Sequence, residues 1–427
     1  MLGNSRVFGC AIAMSVVGLL WNADFSMAQG LDNANHDWPG WRGPNRDDLS
    51  TETGLLQEWP SDGPPQLWTV DSGGLGYAGF AVVGEKLFTL GSNDEGEFAI
   101  CLDVNDGSTI WKTSIDDLYT NSWGDGPRNT PTVDGDHVYV MSANGTLKCL
   151  TVKDGSEIWS VSLTDDLGGE RPNWGYSESP LVDGDKILCT PGGSKGAVVA
   201  LDKTNGNVVW QSSDFTNPCH YSSIIVADVN GRKQYIQLFE KALAGFDANN
   251  GDLLWQDAWD GRIAVIPTPI FNDNTVYISS GYGVGSMLLD ISDSEQVKRK
   301  WFSKKMKNHH GGVILLDGNY YGYSDKVGWL CQSAKTGGEV WSEKDEFKKG
   351  AIAYADGRFY LLEEDSGEVA LISASPEGWQ EQGRFQLEPL SENRKRKGKV
   401  WVHPVISNGR LFLRDQEMIY CFDITKK

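Results

Sequence analysis

Across residues 80–424, short apolar runs alternate with Gly-containing turns, and no stretch carries the three-to-four-residue period of an amphipathic helix. Two patterns repeat. The first is a hairpin, in which a strand, a Gly turn and a second, more aromatic strand follow one another. Gly135 marks such a turn between Pro131 and Tyr139, Gly184 between Pro180 and Leu188, Gly318 between Ile314 and Tyr321, and Gly409 between Pro404 and Phe412. The second is a cassette in which a small residue precedes a Trp by ten positions, with a turn glycine between them. Its copies are Cys101, Gly107 and Trp111; Cys149, Gly155 and Trp159; Ala200, Gly206 and Trp210; Gly245, Gly251 and Trp255; and Cys331, Gly337 and Trp341.

Hairpin and cassette together make four antiparallel strands, and the unit recurs every 40–50 residues or roughly so, the period of a propeller blade. Hairpins open at Phe80, Pro131, Pro180, Ser222, Pro269, Ile314, Ala353 and Pro404. The pattern therefore predicts an all-β, eight-bladed β-propeller of four-stranded antiparallel blades. The last copy has no Trp strand of its own, whereas Trp68 stands in a strand with no hairpin before it. An N-terminal strand at residues 66–70 joining the C-terminal blade would close the ring and leave no sheet edge open at the seam. Each Trp is expected to bury its indole over the small residue ten positions earlier, worth ~1.5–3 kcal/mol per side chain. Blade five, with Leu288 and Trp301, and blade seven, with Ile372, Trp379 and Phe385, depart from the pattern.

The cassette resembles the tryptophan-docking motif of the pyrroloquinoline quinone (PQQ) repeat family of eight-bladed propellers, over about residues 65–424. The segment holding Trp38, Trp41, Arg42, Pro44 and Arg46 is similar to the lead segment of secreted bacterial members. The resemblance implies the fold and leaves two functional classes, because the family holds both dehydrogenases and non-catalytic scaffolds. The expectation is an exported, non-catalytic propeller that binds or assembles partners through one rim of its central channel, with no cofactor. The alternative is a dehydrogenase of alcohols or sugars that depends on PQQ and Ca²⁺. The lead segment could cap one mouth of the channel or lie along a blade edge.

The repeat runs through without a linker, so the 427 residues divide into a leader at 1–28, a lead segment at 29–64 and one propeller domain at 65–427. Arg6, the apolar run at 7–21 and the small residues Ser26 and Ala28 read as a secretory signal. The mature chain is accordingly expected in the periplasm or the medium, without membrane insertion. A net charge of −20 and a pI near 4.7 argue against nucleic acid as a partner. Four of the cysteines, Cys101, Cys149, Cys331 and Cys421, hold the small-residue site, one per blade, too far apart for bridges, and are expected as buried thiols. Cys189 and Cys219 are left open.

In a propeller the segments leading from each outer strand to the next innermost strand meet at one mouth of the channel. Four histidines, His220, His309, His310 and His403, lie in or just after these segments. They could serve a ligand or proton transfer, or hydrogen-bond loop backbone. No zinc motif is present, and adjacent His309 and His310 should diverge in extended chain. The same segments carry acids in the early blades, such as Asp116, Asp125 and Glu170, and bases in the late ones: Lys304, Lys305, Lys307, Lys348, Lys349, Arg394, Lys395, Arg396, Lys397 and Lys399. A rim split by sign would draw a protein, an anionic small molecule or a polysaccharide to its positive sector. Aromatic and amide groups, with Trp123, Arg128, Asn173, Trp174, Glu178, Tyr221, Arg262 and Trp401, could grip a planar or carbohydrate ligand. Under the quinoprotein alternative, Trp174 or Trp401 would stack on the quinone, Arg128 and Arg262 would meet its carboxylates, and Glu178 and Asn173 would supply oxygen ligands.

Overall fold

Eight sheets of four antiparallel strands form a ring in a computed structural model that describes residues 36–293 and 296–427. The leader assigned to residues 1–28 lies outside the described residues. Blade 1 spans residues 81–116, blade 2 132–162, blade 3 181–211, blade 4 225–258, blade 5 270–303, blade 6 313–343 and blade 7 350–386. Each is built from consecutive strands in sequence order, and the described residues contain no helix. Blade 8 combines Val405–Ser407, Arg410–Asp415 and Met418–Asp423 with Gln66–Val70, so the eight-bladed count and the closure through residues 66–70 stand as read from the sequence.

The cassette works between blades as well as within them. Trp111 lies directly opposite Cys101, Trp159 opposite Cys149, Trp210 opposite Ala200, Trp255 opposite Gly245 and Trp341 opposite Cys331, each beside a register shift in the outer pair of strands. The face of the indole, however, is covered by the turn glycine of the next blade. A Cβ on Gly155 would stand 2.6 Å from Trp111, one on Gly206 2.8 Å from Trp159, and one on Gly251 2.3 Å from Trp210. These glycines also have positive φ, so the same residue satisfies the turn and clears the indole. The ring nitrogen then donates to the neighbouring blade: Trp111 to Val152 O at 3.1 Å, Trp159 to Lys203 O at 3.0 Å and Trp341 to Ser375 O at 3.0 Å. In blade 7, Gly383 replaces the Trp opposite Leu371, and Trp59 from the lead segment packs over it, against Phe385 at 5.2 Å and Tyr360 at 5.8 Å. All six described cysteines are buried and free, Cys189 and Cys219 included.

The seam carries the same docking. Trp68 pairs with Cys421, lies against Gly107 of blade 1 and donates to Val104 O at 2.9 Å. Arg414 of blade 8 adds a second lock. Its fully buried guanidinium donates to Gln416 O, to Ala78 O, Thr89 Oγ1 and Leu90 O, and to Gly73 O and Gly74 O, at 2.7–3.1 Å. No carboxylate is among these partners, and burial drops its pKa to about 9.

Residues 38–50 of the lead segment cross the innermost strands at the channel, whereas Leu55 to Trp59 lie along blades 7 and 8. Trp38 exchanges two backbone hydrogen bonds with Val82, Pro39 O accepts from Val133 N, and Tyr354 bonds Asp48 O and Ser50 N, all at one end of the innermost strands. Between these anchors the chain turns inward with positive φ at Arg42, Arg46 and Asp48. Arg46 is buried and donates to Ile224 O at 2.8 Å, Ser179 O at 3.0 Å and Pro180 O at 2.5 Å. Arg42 donates to Val313 O at 2.6 Å and pairs with Asp48 at 2.6 Å. Of the two placements open in the sequence for residues 38–46, capping the channel or lying along a blade edge, these residues take the one at the channel.

Arg414→Met would leave several buried carbonyls unsatisfied and is expected to lower the unfolding free energy by about 4 kcal/mol or more, whereas exposed Arg396→Met should change it by under about 0.5 kcal/mol. Urea unfolding midpoints of the two variants check this.

Candidate functional site

The opposite ends of the innermost strands open onto a cavity of about 340 Å³. Its floor is Trp41 of the lead segment, whose ring nitrogen donates to Thr268 Oγ1 at 2.9 Å and whose face meets His403 at 4.7 Å. The wall is aromatic: Tyr77, Trp123 and Trp401 on one side, Trp174 and Tyr221 on another, Tyr282 on a third. Tyr77 and Trp401 are 5.0 Å apart between centroids, Trp123 and Trp401 6.1 Å, and Trp174 and Tyr221 5.6 Å. Tyr77 donates to Trp123 O, and Lys395 donates to Asp125 at 2.6 Å, which fastens the connector before blade 8 to the one between blades 1 and 2. Ile263 enters the wall from a tight turn with φ of 61°, closed by Ala264 N donating to Arg262 O at 2.6 Å.

Polar groups interrupt the aromatic lining in one sector. His310 Nε2 lies 2.5 Å from Glu364 Oε2, and Trp401 Nε1 donates to the same oxygen at 3.1 Å. Burial works to raise the Glu364 carboxyl, but the hydrogen bond and charge of His310, the Lys349 charge and Trp401 bring it down to about 2. Burial lowers the His310 pKa, against the hydrogen bond and charge of Glu364, which raise it. His309 lies between Tyr282 Oη at 2.9 Å and Lys349 Nζ at 2.9 Å, and burial, His310 and Lys349 hold its pKa down at about 2. Lys349 is paired with Asp325 at 3.0 Å. His403 donates through Nε2 to His310 O at 2.9 Å and sets Nδ1 3.4 Å from Asp48, linking the cavity to the channel plug. Arg128 spans the wall over Tyr119 at 4.9 Å and Tyr77 at 5.6 Å, with its terminal nitrogens on Gly126 O and Gly124 O at 2.5 and 2.7 Å.

Of the residues singled out in the sequence, Arg128, Trp174, Tyr221, His309, His310, Trp401 and His403 line this one cavity. Four do not. Glu178 is buried beneath it, accepting from Thr190 N at 2.6 Å, Thr190 Oγ1 at 3.0 Å, and Ile224 N and Gln237 at 3.3 Å, and burial pushes its carboxyl up to about 7. Asn173 O accepts from Tyr119, His220 Nδ1 accepts from Val265 N at 2.9 Å, and Arg262 is exposed beside Asp260. His309 and His310 do not diverge, because the chain bends there instead of running extended, and both face the same space. Half of the ten bases of this sector are paired in place: Lys305, Lys349, Arg394, Lys395 and Lys399 with Glu339, Asp325, Asp415, Asp125 and Asp365.

A family model described as outer membrane protein assembly factor BamB matches residues 96–343, more than half of the chain. The chain belongs to this family of PQQ-like propellers. Among solved structures it is similar to BamB from Moraxella catarrhalis, with 15% identity, a TM-score of 0.60, and coverage of 84% of this chain and 99% of that one. It is also similar to the quinohemoprotein alcohol dehydrogenase from Comamonas testosteroni, with 11% identity, a TM-score of 0.63, and coverage of 92% and 81%. A computationally designed protein, Ika8, aligns at 11% identity with a TM-score of 0.59 over 84% of this chain and 100% of its own. At these identities the likeness concerns the fold alone. A search of curated proteins found no match.

Within this PQQ-like propeller, three of the site residues that sequence reading missed share one origin. Tyr282, Asp325 and Glu364 all sit in or at turns between the second and third strands of blades 5, 6 and 7, which open to the same rim as the blade connectors. The glycines Gly281, Gly283 and Gly285 around Tyr282 were the available signal. Trp41 was missed for a different reason, since nothing local places the lead segment.

Because Glu364 is held below its ordinary value, its contribution to stability is present above about pH 4.5 and is lost as pH falls toward 2. Glu364→Gln is therefore expected to lower the melting temperature at pH 7, by on the order of 3 kcal/mol in stability, and the gap to the parent protein should close on acidification, as followed by circular dichroism.

Proposed function

We propose that this chain is an exported binding protein that takes a neutral ring-shaped carbohydrate, free or as the end of a polysaccharide, into its rim cavity. The observation that carries the reading is the convergence of Trp41, Tyr77, Trp123, Trp174, Tyr221 and Trp401 on one space with a few fixed polar groups. Sugar rings present apolar C–H faces that stack on aromatic rings and hydroxyls that need directed partners, which is the composition of this wall. The volume lies in the range of small-molecule sites, roughly 300–1,000 Å³. Arg128, the cation in the lining, is committed to Gly124 O and Gly126 O, and five of the rim bases are paired with carboxylates, which favours a neutral ligand. Export is supported by the leader pattern of residues 1–28.

The residues present do not fit a calcium-held quinone. No carboxylate lines the cavity, Glu178 is committed to Thr190, Ile224 and Gln237, and Asn173 and Arg262 stand away from the lining. Among the described residues no cluster of three or more His, Cys, Asp or Glu is placed to hold a metal ion. The scaffold class therefore has the better support here, and the family description as an assembly factor agrees with a role in binding.

Tryptophan fluorescence titrated with a panel of methyl pyranosides and disaccharides tests the reading. At least one sugar is expected to quench or shift the emission saturably. Trp174→Ala and Trp401→Ala should each weaken that binding by about tenfold or more, in line with the 1–3 kcal/mol carried by a stacking contact. A flat titration with every sugar would refute it.

A further inference from the structure

The connector that leads into blade 8 carries five bases within six residues, Arg394 to Lys397 and Lys399, and the structure divides them by task. Three are tied down. Arg394 donates to Asp365 O and to Asp415, both at 2.8 Å, Lys395 donates to Asn121 O at 3.1 Å and to Asp125 at 2.6 Å, and Lys399 pairs with Asp365. Gly398 N closes the turn on Lys395 O at 2.7 Å. The turn rests on the cavity wall, where a Cβ on Gly398 would stand 3.0 Å from Tyr77 Oη and 3.1 Å from Trp123 O. The remaining two bases, Arg396 and Lys397, are exposed at the tip and have no carboxylate partner among the described residues. Lys397 Nζ lies 5.3 Å from the centre of the Trp123 ring, a lining residue that is 36% exposed.

A base kept for solubility alone gains nothing from being held in place. Here two unpaired cations are held by three ion pairs and a tight turn beside an aromatic residue of the cavity, and groups fixed in advance lose little freedom when they meet a ligand. The wider rim gives the spot direction. Lys304, Lys307 and Lys348, on the connectors into blades 6 and 7, also lack a carboxylate partner among the described residues, whereas the connectors into blades 2 and 3 carry Asp116, Asp117, Asp165, Asp166 and Glu170. On a protein of net charge −20, an anionic chain leaving the cavity is repelled toward blades 2 and 3 and drawn toward blade 8. Resting on the carbohydrate reading above, we infer that Arg396 and Lys397 form an outer subsite for an anionic group, a sulfate ester or a carboxylate, on the sugar unit next to the neutral ring held inside. The ligand is then the end of an acidic polysaccharide. Trp123 joins the two places, with Trp401 of the wall at 6.1 Å and Lys397 at 5.3 Å.

The test uses the full-length protein and isothermal titration calorimetry. Neutral oligosaccharides that bind are compared with the same oligosaccharides carrying one sulfate ester, or one carboxylate, on the second unit at each position in turn. At low ionic strength at least one charged form is expected to bind about fivefold more tightly than its neutral parent, and the gain should shrink as salt is raised from about 0.01 M to about 1 M. The sulfate and carboxylate arms, measured separately, tell which anion the subsite takes. In the double variant Arg396→Gln/Lys397→Gln the charged and neutral forms should bind within about twofold of each other. Lys153→Gln, which removes an exposed base in a turn at the other end of blade 2, should leave the gain intact. Charged forms that bind no better than their neutral parents, or a gain that survives in the double variant, would overturn the subsite and leave the aromatic cavity standing. Failure of every neutral oligosaccharide to bind would overturn both.

Discussion

A closed ring of sheets is only as strong as the contact between one blade and the next, and here that contact is an indole against a glycine. Trp111, Trp159 and Trp210 each pack on the turn of the following blade, where any side chain larger than hydrogen would collide, and Trp111 and Trp159 also hydrogen-bond to its backbone. Dispersion and desolvation supply the attraction, and the N–H to carbonyl bond sets the register in which they act. Where the pattern lapses, the molecule repairs it from elsewhere, as when Trp59 covers Gly383 in blade 7. At the seam, Trp68 and Arg414 do for the chain's two ends what consecutive sequence does for the other joints.

The fold was legible because this contact demands specific residue types at fixed spacing. The small residue and Trp of each cassette prove to be cross-strand partners, and the unpaired Trp68 correctly announced the closure. The role of the glycine was only half visible: its turn could be read, but its use as a seat for a neighbouring indole depends on a blade some 40 residues away. Site residues divided along the same line. Those on blade connectors, such as Trp174 and Trp401, were recoverable because topology gathers connectors at one mouth, whereas Tyr282 and Glu364 come from hairpin turns that reach the same rim. Glu178 misled because a polar residue on a connector looks available, and only coordinates reveal that Thr190 and Ile224 consume its oxygens.

The cavity also shows how an acidic protein keeps carboxylates out of a wall. Its carboxylates are kept one layer back, Glu364 behind His310 and Asp325 behind Lys349, while Asp48 is matched by Arg42 below. Burial lowers the pKa of His309 and His310, and each buried charge behind them has a partner. The cavity lining is thus aromatic and dipolar apart from Arg128, with its carboxylates held one layer behind.

The channel plug imposes an order of events on the chain. Residues 36–50 reach Val82, Val133, Ile224, Val313 and Tyr354, and strand Gln66–Val70 waits for Met418–Asp423, so the earliest part of the described chain has no home until the latest part is made. Contacts of such long sequence separation slow folding. Trp41, the floor of the rim cavity, reaches its surroundings only when Thr268 and His403 from distant blades are in place.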